Sequence, residues 1–417
     1  MSWKQTVIVA VIAATVVGAL VGVIVWAVMR DTSDPPEAPE VPEVPEVPEV
    51  PEAPEPPQLR QLDWWENTVI YQIYPRSFKD SDGDGIGDLQ GIISELEHLV
   101  DAGVGALWMS PIFKSPMIDF GYDISDFYDI QDEYGTMADF DELVRKAHAL
   151  GLKVLLDYVP NHASTYSEYF EKSENRVPGF ENYFVWADPV MVDGERQVPS
   201  NWISQFGGSV WEFSEKRQQY YLHQFAIEQA DFNFREQAVK DEMINIMLFW
   251  IEKGADGFRV DAIPHLFETA PDANGVYPDE PLSGNMFLSP DQAGYTTQIH
   301  VRDLIELYDV VYDWREAVDK WAQNNGSDTK VLLAEAYANI SMTMLYYGDE
   351  KEESVLISRS TLTLSQPCLR SRMPEILLTS SGTGSPTCQK EMCPTGCSAT
   401  TTRAACHPDS EVTWWMD

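Results

Sequence analysis

Read for hydropathy alone, the chain has three regimes. From Thr6 to Met29, "TVIVAVIAATVVGALVGVIVWAVM" carries no charge. Such a run can cross about 30 Å of hydrocarbon at helical rise, and it exceeds the roughly 7–15 apolar residues of a cleavable leader. It predicts one membrane-spanning helix. Trp3 and Trp26 suit interfacial positions, and Lys4 on the short side against Asp31 and Asp34 on the other puts the amino terminus in the cytosol and the rest outside. An uncleaved secretion signal, which would make the remainder a secreted domain, is the alternative. From Pro35 to Pro57, proline recurs at every third position between mutually repelling glutamates. That pattern predicts an extended polyproline-type stalk.

Beyond Trp64 the period switches repeatedly between strand and helix. "TVIYQIYPRSF", "ALWMSPIF", "KVLLDYVPNH", "DGFRVDAIPHL" and "VLLAEAYAN" read as strands. "LQGIISELEHLVDAG", "MADFDELVRKAHALG", "VKDEMINIMLFWIEKGA" and a long region up to Gln323 read as amphipathic helices between them. Regular βα repetition predicts an α/β fold, a (β/α)8 TIM barrel with an irregular inserted domain after its third strand. The segments are then 1–30 (stub and membrane helix), 31–60 (stalk), 61–162 (first part of the barrel), 163–235 (insertion), 236–353 (barrel continued) and 354–417 (a tail of different character).

Composition narrows the partners. With 44% apolar and 12% aromatic residues the chain can bury a sizeable core, and a formal charge of −39 excludes nucleic acid as a partner, whose phosphates would be repelled.

In a barrel the chemistry collects at the carboxyl ends of the strands. There the sequence offers Asp157, Asn161 and His162, then Arg259, Asp261 and His265, then Glu335. Any one of these alone reads more simply as a helix cap. Together, two carboxylates on neighbouring strands with an arginine on the same strand face as one of them suit glycoside hydrolysis. A retaining mechanism needs the pair about 5–5.5 Å apart. Arg259 is expected to favour the charged form of Asp261, and Glu335, on an otherwise apolar strand, to be pushed towards the neutral form.

The strings "VIYQIYPRSFKDSDGDGIGDLQGI", "FGYDISDF", "LLDYVPNHAS", "GADGFRVDAIPHLFE" and "LLAEAYA" resemble, in order and spacing, the signature regions of the α-amylase family of glycoside hydrolases, most closely its insect α-glucosidases. The resemblance covers about Trp64 to Glu352. It implies Asp261 as nucleophile and Glu335 as general acid/base. Arg259 would steady the nucleophile, Asp119 and His162 would hold sugar hydroxyls, Tyr122 would provide a stacking platform, and His265 would join the substrate-binding set. The implied substrates are maltose, sucrose and small oligosaccharides cut from the non-reducing end, and Ala262 beside the nucleophile is linked to α-1,4 preference. The chain departs from the family at "QADFN", Gln229 to Asn233, where proline and leucine are usual at the second and fourth places. Heavy chains of amino-acid transporters resemble the same layout, a membrane helix followed by an amylase-like scaffold. They place a cysteine just outside the membrane, and none lies between Met1 and Pro367 here.

"DSDGDGIGD" offers Asp80, Asp82, Asp84, the Ile86 carbonyl and Asp88 with the spacing of a calcium loop, although Gly91 stands where an EF-hand has glutamate. Hard oxygen donors predict a structural Ca²⁺, or Mg²⁺, as the resemblance also implies. Asn325 and Asn339 lie in sequons that are glycan acceptors if the domain is external.

The tail differs from everything before it. From Ser354 to Asp417 there is no Phe or Tyr, all five cysteines fall there, and no strand or helix period survives. Read in the next frame, Val355–Ser365 admits an alternating strand, and Cys393–Thr402 admits a string ending Asn-His-Asp, as the family's last signature does. A shifted frame near Glu352 is therefore inferred over a disulfide cluster, a zinc site or a spliced tail. It would leave about five of the eight strands needed for closure.

Overall fold

The computed structural model describes residues 62–348 and 361–364. The apolar run at 6–29, the proline-glutamate stalk and all the cysteines lie outside the described residues. Among the described residues no helix is long and apolar enough to cross a membrane.

The core is a six-stranded sheet. Its strands are β1 (Ile70–Ile73), β2 (Ala106–Met109), β3 (Lys153–Tyr158), β4 (Gly257–Val260), β5 (Val331–Glu335) and β6 (Thr361–Leu364). They lie side by side in chain order and all pair in parallel. Sequential parallel strands with helices between them are successive units of a (β/α)8 barrel. The central strands β3 and β4 are covered on both faces, and all four residues of β4 are buried. Gly257 lets β4 approach its neighbour: a Cβ there would stand 2.2 Å from the Val331 carbonyl oxygen.

Helices Met137–Ala149 and Gln237–Glu252 show how the sequence period becomes packing. The first begins in a capping box between Thr136 and Asp139 and buries Phe140, Leu143, Val144 and Ala147. The second buries Val239, Met243, Ile246, Met247, Trp250 and Ile251, the three-and-four spacing of one helical face. Trp250 ties the two helices together and to the hairpin of Phe113–Lys114 and Asp126–Ile130. Its ring stacks on Phe113 at 4.8 Å and meets the edge of Phe140 at 5.1 Å, and its indole N–H donates to the Phe127 carbonyl at 2.8 Å.

The insertion returns to the barrel mouth. His162–Ser164, just after β3, pairs antiparallel with Gln229–Asp231. Trp186–Ala187, Trp211–Ser214 and Gln219–Leu222 form a separate three-stranded sheet. A small second core under it includes Trp202, Trp211 and Leu222 together with Tyr277 and Val301 from the segment after β4.

Two expectations change. The long helix expected up to Gln323 exists only as Glu306–Asn325, and the stretch before it is irregular. Pro271, Pro278, Pro281 and Pro290 each remove a backbone donor there, which helix cannot tolerate in series. The tail, expected to carry no strand, supplies β6: Leu332, Leu333, Ala334 and Glu335 pair in parallel with Thr361, Leu362, Thr363 and Leu364. Over those four residues Thr and Leu alternate, and the free edge of β5 offers the N–H and C=O groups that any such strand can take.

Candidate active site

The polar groups converge where the strands end. Arg259 projects from β4 and is only 6% exposed. Its Nη1 pairs with Asp157 Oδ1 on β3 at 2.8 Å and contacts Asp261 Oδ1, just past its own strand, while Nη2 reaches Glu335 Oε2 at the end of β5, 2.8 Å away. One guanidinium thus gathers three carboxylates from three adjacent strands. Its face lies over the Trp108 ring at 5.3 Å. Asp157 is further held by Trp108 Nε1 at 3.3 Å and the Tyr122 hydroxyl at 3.2 Å.

The two candidate catalytic carboxyls meet at the same guanidinium. Burial pushes the Asp261 carboxyl well up. Arg259 opposes this, and Glu335 and Asp157 add to it. Arg259 therefore acts in the expected direction and is outweighed. The apolar surroundings expected for Glu335 are not there: besides Arg259, its Oε2 accepts from the Ala262 N–H at 3.2 Å and its Oε1 from the Tyr337 hydroxyl at 2.9 Å. Ala262 holds φ at 51°, a left-handed conformation uncommon away from glycine, and this turn aims its N–H back at Glu335.

Asp119, Tyr122, Arg259, Asp261, His265 and Glu335 line one cavity of about 360 Å³. His162 stands just behind it, 1% exposed, with its ring 5.1 Å from that of Phe225 in the cavity wall. Burial pushes His162 down to about 4 and His265 to about 3, so both are neutral imidazoles near neutral pH. His265 Nδ1 lies 2.8 Å from Gln224 Oε1, and an amide oxygen only accepts, so that nitrogen carries the hydrogen. Burial raises the Asp119 carboxyl, and Gln229 Nε2, donating at 2.9 Å, works against that rise.

Strand-end reasoning singled out Asp157 but gave it no role, and it missed Gln224, Gln229, Arg302 and Tyr337. Gln229 is the first residue of "QADFN", where departure from the family pattern had already drawn attention. Arg302 sits in the irregular segment after β4, where no period marks it, and its Nη2 donates to the Tyr337 carbonyl at 2.8 Å.

The family model described as "Alpha amylase, catalytic domain" matches residues 72–364. The chain belongs to the α-amylase family. It is 52% identical over 291 residues to Maltase A1 of Drosophila melanogaster, a match covering 69% of this chain and 50% of that protein. It is 51% identical over 289 residues to a salivary alpha-glucosidase of Anopheles gambiae, covering 69% of this chain and 48% of that one. Among solved structures it is similar to the alpha-glucosyl transfer enzyme XgtA at a TM-score of 0.63 and 38% identity, covering 69% of this chain and 53% of that one. The chain thus spans about half the length of the curated relatives it matches.

In this family member the acidic turn lies apart from the cavity lining. Carboxylate oxygens of Asp80, Asp82 and Asp88 lie within 4.8 Å of one another. Backbone N–H groups of Gly83 and Gly85 donate to Asp80 and hold its carboxyl below the usual range. Three hard oxygen donors so placed fit a divalent cation of the Ca²⁺ type. Asp84 Oδ1 accepts from the Ile86 N–H at 2.7 Å instead of joining that group.

Proposed function

We propose that the protein is a maltase-type α-glucosidase that removes terminal α-1,4-linked glucose from maltose, sucrose or short oligosaccharides with retention of configuration. The observation that carries this reading is the meeting of Asp261 and Glu335 at the ends of adjacent strands, in one cavity, with Arg259 bonded to both. Asp261 would attack the anomeric carbon while Glu335 gives its proton to the departing glycosidic oxygen. Glu335 would then take a proton from water as that water releases the sugar from Asp261, and two inversions retain the configuration. Asp119 and neutral His162 and His265 would accept and donate hydrogen bonds to sugar hydroxyls, and Tyr122 would lie against the ring.

The same proposal places a structural Ca²⁺ at Asp80, Asp82 and Asp88, where it would neutralise the turn. It places the domain outside the cell, held by the apolar run at 6–29 or secreted, in keeping with a salivary relative. Asn325 and Asn339 are exposed there, as glycan acceptors must be. Restoring one reading frame near Glu352 would encode the third carboxylate where Thr401 and Thr402 now stand. Sequencing the transcript from Gly348 onward tests that frame.

The activity test compares the 417-residue chain with a frame-restored one on maltose and an aryl α-glucoside. The restored protein is expected to release α-glucose first and the shorter-framed one to be inactive. Asp261→Asn in the restored protein is expected to lower kcat at least ~10³-fold, since an amide cannot form the glycosyl ester. Near-unchanged turnover in that variant refutes the nucleophile assignment. Co-purification of a multispanning partner without hydrolysis would instead favour an amino-acid transporter scaffold.

A further inference from the structure

Glu335 has a lopsided set of partners. Oε2 is ion-paired with Arg259 Nη2 at 2.8 Å and accepts from the Ala262 N–H at 3.2 Å. A proton on Oε2 would face a guanidinium cation and a backbone N–H, and neither can turn round to accept. Oε1 is bonded by the Tyr337 hydroxyl at 2.9 Å. A hydroxyl donates to an ionised carboxylate and accepts from a protonated one by a rotation about its C–O bond.

Tyr337 is also held in place. It stands two residues past the end of β5, in the cavity wall beside Glu335, and Arg302, which also lines the cavity, donates to its carbonyl. Burial pushes its phenol up to about 12, with Glu335 adding to the rise, so the group stays a hydroxyl through the neutral range. The other charged or titratable groups facing this corner are Arg259, Asp261, Asp157 and Tyr122, with Arg302 bonded to the Tyr337 backbone.

We propose that Tyr337 is a positioning residue for the acid/base: its hydroxyl fixes Glu335 so that the transferable proton sits on Oε1. This rests on the α-glucosidase reading and deepens it. The bond to the ionised carboxylate is charge-assisted and roughly twice as strong as the bond to the neutral acid. Removing the hydroxyl therefore strips more from the ionised form, and the protonated form persists to higher pH.

The test uses a glucose-configured cyclitol epoxide on the frame-restored chain. Asp261 opens the epoxide, a carbon–oxygen bond forms to the carboxylate as the ring bond breaks, and the leaving oxygen takes the Glu335 proton. The reaction needs one event per molecule and is read by mass as a covalent adduct across a pH series. Tyr337→Phe is expected to lower the labelling rate at the acid plateau, where the proton is less well placed, and to move the alkaline limb up by about one pH unit, so that the rate above the limb relative to the plateau rises up to ~10-fold. A merely structural role would lower the rate equally at every pH. That outcome, or coincident limbs, overturns the proposal. If the unsubstituted frame-restored chain is not labelled at all, the hydrolytic reading fails by itself. The Tyr337 inference is then decided by the carboxyl ¹³C signal that disappears in Glu335→Gln. A higher titration midpoint for that signal in Tyr337→Phe upholds the inference, and identical midpoints refute it.

Discussion

Arg259→Leu removes the one cation that Asp157, Asp261 and Glu335 share. The side chains concerned are 8%, 0%, 12% and 19% exposed, so water cannot replace the guanidinium without opening the barrel mouth. Breaking a buried ion pair by deleting one partner costs about 3–5 kcal/mol, and here the carboxylates left behind also repel each other. The loss depends on pH, with a definite sign. Burial already holds Asp157 and Asp261 above their unfolded values, and Arg259 is the main force opposing that rise. A carboxyl raised in the folded state keeps its proton after the unfolded chain has lost it, so stability falls as pH climbs from about 4 through the raised value. Without Arg259 that window extends upward, and each further pH unit in which the fold retains one extra proton costs about 1.4 kcal/mol. Urea unfolding of parent and variant, followed by tryptophan fluorescence at pH 5 and pH 7.5, checks this. The variant should be less stable by about 3–5 kcal/mol at pH 7.5 and by clearly less at pH 5. A loss under ~1 kcal/mol at both values would mean that the three carboxyls do not depend on Arg259, and the description of the site would be wrong.

Chelation is expected to lower the thermal midpoint without touching the cavity residues, because a cation bound only by the folded turn stabilises by mass action; Asp82→Ala should abolish that chelator effect, and a midpoint indifferent to both would leave the turn metal-free. Gly257→Ala puts a methyl against the Val331 carbonyl and should cost about 1–3 kcal/mol or more in urea unfolding, and a loss of only a few tenths would mean that β4 and β5 are not held that close. Buried neutral His162, held down to about 4, binds fewer protons than its unfolded counterpart between pH 4 and about 6.5, so it makes stability fall as pH drops through that window. His162→Gln should flatten that part of the pH–stability curve, and an unchanged slope would count against a buried, neutral His162.

Much of the scaffold is written in short-range pattern. The three-and-four spacing of Val239, Met243, Ile246 and Trp250 specifies a buried helical face without reference to the rest of the chain. Apolar runs such as "KVLLDY" specify strands covered on both sides. Alternation of the two leaves few topologies besides a parallel α/β fold, and in such a fold polar residues at strand ends already mark Asp157, Arg259, Asp261 and Glu335. Period fails where there is none: the proline-rich segment before Glu306 carries Arg302, and the four residues of β6 are too few to stand out in the tail.

What the tertiary structure decides is who faces whom and how dry the meeting place is. Arg259 and Asp157 are 102 positions apart, and Gln229 and Asp119 are 110 apart, and no local period encodes either pair. The sequence places an arginine two residues before Asp261 and so suggests an ionised nucleophile. Burial beside Asp157 and Glu335 pushes the other way, because desolvation is a property of the assembled pocket and not of neighbours along the chain. Likewise "LLAEAY" reads as an apolar setting for Glu335, yet folding brings it a guanidinium from β4, an N–H from the turn at Ala262 and the Tyr337 hydroxyl. Residue types and their periods are carried by the chain itself, whereas charge states and hydrogen-bond directions arise only when distant segments exclude water together.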